Sequence, residues 1–130
     1  PYEAVEAGRD SDGGKLYAGR GYHDGELLPA KIAPHYGHAF VPNGGREHHA
    51  HDFQVLVSNH VAWKHARNGE IPHEAVVFGK TRDGEDLFMG RAWHHGALIP
   101  GKVHPSHGCC YIPYAGDEHR HEDYEVLILI

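Results

Sequence analysis

The chain has 130 residues, with 12 basic and 18 acidic side chains and a formal net charge of −6. That length is enough for one domain with a real core, and the acidic balance argues against nucleic acid or an anionic membrane surface as the main partner, since both require a basic face. The longest unbroken apolar run, residues 126–130, is far short of the roughly 20 residues of a spanning helix, so no membrane insertion is expected. No basic–apolar–small signal peptide opens the sequence, which leaves cytoplasmic residence or release without a leader as the expectations for location.

Glycine and proline number 17 and 8, too many for long helices. Taken in chain order, short runs rich in β-branched and aromatic residues predict strands over 4–7, 16–22, 27–33, 38–42 and 53–57. Turn signals separate them at Asp12-Gly13, Asp24-Gly25 and Asn43-Gly44, dipeptides that tolerate positive φ. Residues 60–71, HVAWKHARNGEI, form a bridge with room for a helical turn that Asn68-Gly69 and Pro72 end quickly. Further strands are expected over 75–78, 87–93, 98–103, 109–113 and 124–130, with turns at Asp83-Gly84 and His95-Gly96. Many short strands spaced by turns indicate an all-β fold, an antiparallel sandwich or barrel. The adjacent Cys109 and Cys110 are expected as free thiols within a strand, because a disulfide between neighbours is strained.

The two series of strands are copies of each other. Displaced by 71 positions, residues 1–59 meet residues 72–130 without a gap, and 24 of the 59 pairs are identical. They include Gly8/Gly79, Asp12/Asp83, Arg20/Arg91, Pro29/Pro100, Lys31/Lys102 and Glu47/Glu118. An internal repeat constrains architecture before anything else does. Two copies joined by the 60–71 bridge predict a single domain over 1–130, a pseudo-twofold pair sharing one core. Trp63, in the bridge, is expected to plug that core rather than to serve as a ligand platform.

The repeated pattern G-[RK]-x-x-D-G-x-x-L-[YF]-x-G-R…L-x-P-x-K…[FY]-[VI]-P…G-x-E-H…[FY]-x-V-L resembles the DM-nine repeat family (also called DUF3421) over nearly the whole chain. Paired copies without another domain resemble its mannose-binding invertebrate lectins. The resemblance implies an intertwined antiparallel β fold, a homodimer, recognition of mannose-containing microbial glycans, and a role in innate immunity. It also implies a sugar site built on an aspartate just after the first strand and on the lysine of the P-x-K motif, which here are Asp10 and Lys31. In the second copy Lys102 keeps the lysine, but Thr81 replaces the aspartate, so a second site there would be weaker, absent or completed from the other copy.

The residue types suit the task. A carboxylate accepts from two neighbouring sugar hydroxyls, an ammonium gives up to three N–H bonds to their lone pairs, and charged groups make the stronger hydrogen bonds. Folding the hairpin about Asp12-Gly13 sets Asp10 opposite Lys15, and folding about Asp24-Gly25 sets Lys31 opposite Ala18. The two side chains would then stand about 10 Å apart at ~3.3 Å per residue, too far for an ion pair and suited to a bridging sugar ring. The alternative is a turn aspartate and a solvated lysine. Glu47 and Glu118 either cap turns through backbone amides or line the site's edge. Arg20 and Arg91 are expected to brace the sheet, and Tyr22 and Tyr36 either stack on a sugar face or pack across strands.

Fifteen histidines raise a rival reading, a histidine-rich metal-binding or protein-interaction module without sugar specificity. Only His23/His94 and His48/His119 among the clustered histidines repeat between the copies, whereas a metal site built into the repeat would have kept its ligands, so no metal site and no cofactor are expected. No Asp/Asn-rich calcium loop is visible, and calcium independence follows. No nucleophile motif, phosphate loop or repeated acid pair supports an enzyme.

Overall fold

The computed structural model describes residues 4–130, so the first three residues of the first copy lie outside it. Thirteen strands form among the described residues. They are β1 (Glu6–Arg9), β2 (Lys15–His23), β3 (Glu26–Ala33), β4 (His38–Asn43), β5 (Arg46–Ala50), β6 (Phe53–Val55), β7 (Val61–Arg67), β8 (Gly79–Lys80), β9 (Asp86–His94), β10 (Ala97–His104), β11 (Cys109–Tyr114), β12 (Asp117–His121) and β13 (Asp123–Leu129). The fold is all-β, as the turn-punctuated sequence predicts. Every pairing is antiparallel, and β2, β1, β10, β11, β12, β5, β4 and β3 close into an eight-strand barrel because β3 pairs back onto β2. Closure removes the unpaired edges that an open sheet would carry.

Pairings recur at a spacing of 71. Arg9 of β1 stands opposite Leu98 of β10, and Lys80 of β8 stands opposite Leu27 of β3. Each short strand therefore pairs with a strand from the other half of the chain. Gly8 and Gly79 are what allow it. A Cβ on Gly8 would lie 1.9 Å from the Leu98 carbonyl oxygen, and one on Gly79 would lie 2.3 Å from that of Leu27. Midway between the halves, Arg46 of β5 faces Asp117 of β12.

The side chains follow the pleat. Along β2 and β9 the same alternation buries Leu16, Ala18, Leu87 and Met89. Three apolar clusters result, around Ile99 and Val126, around Leu28 and Val41, and around Ala7, Phe78 and Leu127. Arg20 donates to Gln54 at 2.8 Å and Arg91 to Glu125 at 2.8 Å, so both brace neighbouring strands as their mid-strand positions suggest.

Four local expectations are corrected. The bridge is not helical over 61–67 but forms β7, paired along its length with β13. In place of a strand over 75–78, the two-residue β8 begins immediately after it, at Gly79. The 43–44 turn sits one residue further on, with Gly44 and Gly45 at φ of +61° and +84° and Asn43 still in β4. Arg9, not Asp10, stands opposite Lys15, because the turn between Asp10 and Gly14 holds three residues, 11–13, rather than two. Asp10 and Gly14 close that loop through the Asp10 N–H to the Gly14 carbonyl at 2.9 Å. Lys31 does stand opposite Ala18. The cysteines are free and buried in β11, and burial pushes both thiols up in pKa, so neither is poised as a nucleophile.

Candidate functional site

Asp10 opens the β1–β2 loop. Its Oδ1 accepts the Ser11 N–H at 2.9 Å, while Asp12 Oδ1 accepts the Gly14 N–H at 2.9 Å and Asp12 Oδ2 the Tyr36 hydroxyl at 3.0 Å. The Gly14 amide is the main reason that the Asp12 carboxyl lies below its usual pKa. The Tyr36 phenol is raised in turn, chiefly by that same hydrogen bond to Asp12. His35 lies over the loop, with Nε2 3.6 Å from Asp10 Oδ2 and 3.5 Å from Asp12 Oδ1. It fits there because residue 14 is glycine: a Cβ would meet the His35 ring at 2.6 Å.

Lys31 comes from the middle of β3, and its side chain is only 6% exposed. The solvated-lysine alternative is therefore wrong, since the antiparallel neighbours cover the strand. Its ammonium donates to the Pro113 carbonyl at 2.8 Å and pairs with Glu47 at 2.9 Å. It also lies 5.5 Å from the Phe40 ring centre and 5.7 Å from that of Tyr114, within cation–π range. Two of the ammonium's three N–H bonds thus have acceptors in the protein. Glu47 uses its other oxygen to accept the Gly116 N–H at 2.9 Å. Glu47 anchors a turn, as one alternative expected, and it also borders a cavity.

That cavity, about 270 Å³, is lined by Asp10, Lys31 and Glu47 together with Tyr36, Phe40 and Tyr114. Ser11 and Ala115 complete it. Three of the six residues singled out in the sequence therefore meet around one hollow. Asp10 does not pair with Lys31, whose carboxylate partner is Glu47. The sequence reasoning missed Tyr114 and Ala115, which line the cavity from the other half of the chain, and the Pro113 carbonyl, which holds Lys31. Their signal was the repeated [FY]-[VI]-P motif at 111–113, read as a strand and as part of the family pattern but not as a site contact.

The other three candidates behave differently. Lys102 pairs with Glu118 at 3.3 Å, with side chains 5% and 9% exposed. Glu118 also accepts the Gly45 N–H at 2.9 Å, so it too anchors a turn. Thr81 Oγ1 accepts the Glu85 N–H at 3.0 Å and holds its own loop together. Where the first copy has Gly14, the second has Glu85, whose carboxylate receives the Ser106 hydroxyl at 2.7 Å and N–H at 2.9 Å and contacts His104 Nε2 at 2.9 Å. Burial opposes ionisation of Glu85, but the Ser106 bonds prevail and its pKa falls. The second loop is thus braced by its own carboxylate.

Histidines cluster beside this region. His94 Nδ1 lies 3.0 Å from His121 Nε2, and its ring stacks on His95 and leans on His119. Burial first, then the neighbouring imidazoles, lower His94 to a pKa of about 4. In the first copy His23 stacks on His48 at 4.0 Å. Among the described residues, the group whose donor atoms approach closely enough for one cation is Asp10, Asp12 and His35, within 4.8 Å of one another.

A DM9 repeat family model matches residues 10–121. The chain belongs to the DM9 repeat family. It is also 33% identical over 92 residues, 68% of its length, to Natterin-4 of Thalassophryne nattereri, and 33% identical over 79 residues, 58% of its length, to Natterin-3 of the same organism. The chain spans about a fifth of the length of these two relatives, 21% and 19%. Membership and these relatives suggest a lectin-like or pathogen-recognition domain and leave any sugar unnamed. No helix among the described residues is long and apolar enough to cross a membrane.

Proposed function

We propose that this DM9 domain is a non-catalytic lectin that binds mannose-type glycans in the cavity between Asp10, Lys31 and Glu47. The observation that carries the proposal is the convergence of two carboxylates and one ammonium, framed by three aromatic rings, around a hollow of about 270 Å³. The hollow falls just below the roughly 300–1,000 Å³ of clefts that take drug-sized ligands, which limits it to a ligand as small as one sugar ring. The carboxylates accept from hydroxyls, the ammonium donates its remaining N–H bond, and Tyr36 or Tyr114 packs against the C–H face. Lys31 is held rigid by Pro113 and Glu47, which lowers the cost of ordering it on binding.

In this reading the whole chain is one domain of two copies. Lys102, Glu118 and Thr81 form a second, weaker site or a purely structural counterpart. A single shallow site binds weakly, and a homodimer facing a microbial surface raises avidity through effective concentration. A second reading has its own observation: Asp10, Asp12 and His35 stand close enough to share a divalent cation.

A glycan array on tag-free protein, run with and without chelator and beside Asp10→Ala, separates these readings. Chelator-resistant binding to mannose-type glycans that disappears in the variant supports the lectin. Binding that needs a divalent cation supports the metal reading, and no glycan binding at all overturns the proposal.

A further inference from the structure

Beside the Asp10–Lys31 cavity runs a groove of about 730 Å³, bordered by Trp63, Arg91, Trp93, Glu6, Arg9 and Leu98. Asp10 and Ser11 line both hollows, so the two are contiguous. The groove holds both tryptophans of the chain. Trp93 is 67% exposed, and a large aromatic left in water is the informative case, unlike a buried one. Arg91 and Trp93 are two residues apart on β9 and share a face. The Arg91 guanidinium lies 4.2 Å from the Trp63 ring centre and is itself fixed by Glu125 at 2.8 Å and the Ala7 carbonyl at 3.3 Å. One indole is therefore pinned and the other presented.

The same groove occurs 71 residues away in a lesser form. There Arg20, Tyr22, Leu27, Lys80 and Thr81 border about 340 Å³, and Tyr22 is likewise 67% exposed. The groove beside Asp10 differs by a tryptophan for that tyrosine, by Asp10 for Thr81, by Glu6 for Val77, and by Trp63 supplied from β7. Each difference adds a stacking surface or a carboxylate on the side that also holds the Asp10–Lys31 cavity.

We infer that this groove is a second sugar subsite, with Trp93 as its stacking platform, so that the site takes an oligosaccharide rather than a single ring. The inference rests on the lectin reading and extends it. A pyranose has a C–H face that packs on an indole and a rim of hydroxyls that Glu6, Arg9 and Asp10 can meet. Asp10, shared by the two hollows, is positioned to contact adjoining rings. The volume lies well inside the range of ligand clefts. Trp63, expected from the sequence only to plug the core, packs against the Phe78–Leu127 cluster and also lines this groove.

The placement of the tryptophans supplies the test. Tag-free protein is titrated with methyl mannoside and with a linear mannotriose, followed by calorimetry and by tryptophan emission, for the native chain, Trp93→Ala and Trp93→Phe. The native chain binds both sugars, the triose at least about fivefold more tightly, as a stacking contact provides. Only the triose shifts emission, because no tryptophan lines the smaller cavity. Trp93→Ala binds the triose no better than the mannoside, with mannoside affinity unchanged, and Trp93→Phe recovers part of the difference. A triose that binds no more tightly than the mannoside, or keeps its advantage in Trp93→Ala, overturns the subsite and leaves the lectin reading intact. Loss of self-association in Trp93→Ala with triose binding unchanged also overturns it, by making the groove a contact between copies. If neither sugar binds the native chain, the lectin reading fails and the subsite falls with it.

Discussion

Lys31 and Glu47 form an ion pair 2.9 Å long with side chains 6% and 12% exposed. Glu47 at the same time holds the Gly116 amide of the opposing hairpin, so one carboxylate links the proposed sugar contact to the closure of the barrel. Removing one member of a buried pair leaves the other uncompensated, which costs about 3 kcal/mol or more. Lys31→Ala is therefore expected to lower unfolding stability by that amount, and Lys31→Met with Glu47→Gln to recover much of it. Urea unfolding of the single and double variants checks this, and the sugar affinity of Lys31→Ala is interpretable only beside it.

Gly8 and Gly79 are expected to be among the least replaceable glycines, as is Gly101, whose Cβ would lie 2.1 Å from the Tyr111 carbonyl oxygen. A methyl group added at Gly8 or Gly79 collides with backbone oxygen from the other half of the chain, which a small side-chain shift cannot relieve. Gly8→Ala or Gly79→Ala should cost about 3 kcal/mol, at the top of the range for overpacking, or yield insoluble protein. Gly13→Ala meets open space and suffers only from its φ of +86°, so about 1 kcal/mol is expected. Thermal melts of the three variants rank them.

The His94 cluster makes stability depend on acid. The His94 pKa is lowered to about 4 in the fold against an ordinary 6.5, so the unfolded chain binds the proton more tightly. Stability is full above pH 6.5 and is lost as pH falls from there to about 4. His104 and His121 are lowered as well, first by burial, and add in the same direction. The loss from His94 is on the order of 2 kcal/mol, less than the whole shift because the ring is partly exposed. Unfolding midpoints between pH 7 and 4 should fall for the native chain and fall less for His94→Gln.

Cys109 and Cys110 are both buried and free. Neither is expected to react with a thiol reagent within minutes at pH 8 in the folded protein, and both should react after denaturation. Fast modification of either in native conditions would show that β11 opens.

Much of this fold can be read from the residues, in places where local chemistry decides. The Asp24-Gly25 and His95-Gly96 turns lie where positive φ is found, and β2 and β9 follow their apolar alternation, while β3 and β10 are buried along most of their length. β5 and β12, REHHA and DEHRH, escape notice because their side chains are polar on both faces. Their place in the sheet comes from closure, through Arg46 opposite Asp117 and the glutamates behind them. β7 escapes because its residues suit a helical turn until β13 offers a pairing partner. The loop at Asp10 is displaced by one position because Gly13 closes a three-residue connection, which Asp12-Gly13 alone does not distinguish from a two-residue one.

The site divides in the same way. Asp10 and Lys31 are legible through the motifs that contain them, and Glu47 through its repeat. Tyr114, Ala115 and the Pro113 carbonyl are not, since they arrive through a pairing between halves separated by some 80 residues of chain, as Lys31 and Pro113 are. The exposure of Trp93 follows the alternation of β9, but the groove it borders is assembled also from β1 and β7 and is not legible in one strand.

The central claim is that a sugar sits between Asp10 and Lys31, and amide chemical shifts measured during a titration with methyl mannoside test it most directly. Shifts confined to Ser11, Gly14, Phe40, Tyr114 and Ala115, and absent in Asp10→Ala, are the predicted result. Shifts centred on the His94–His121 cluster or on the Thr81–Glu85 loop, or no shifts at saturating sugar, would contradict it.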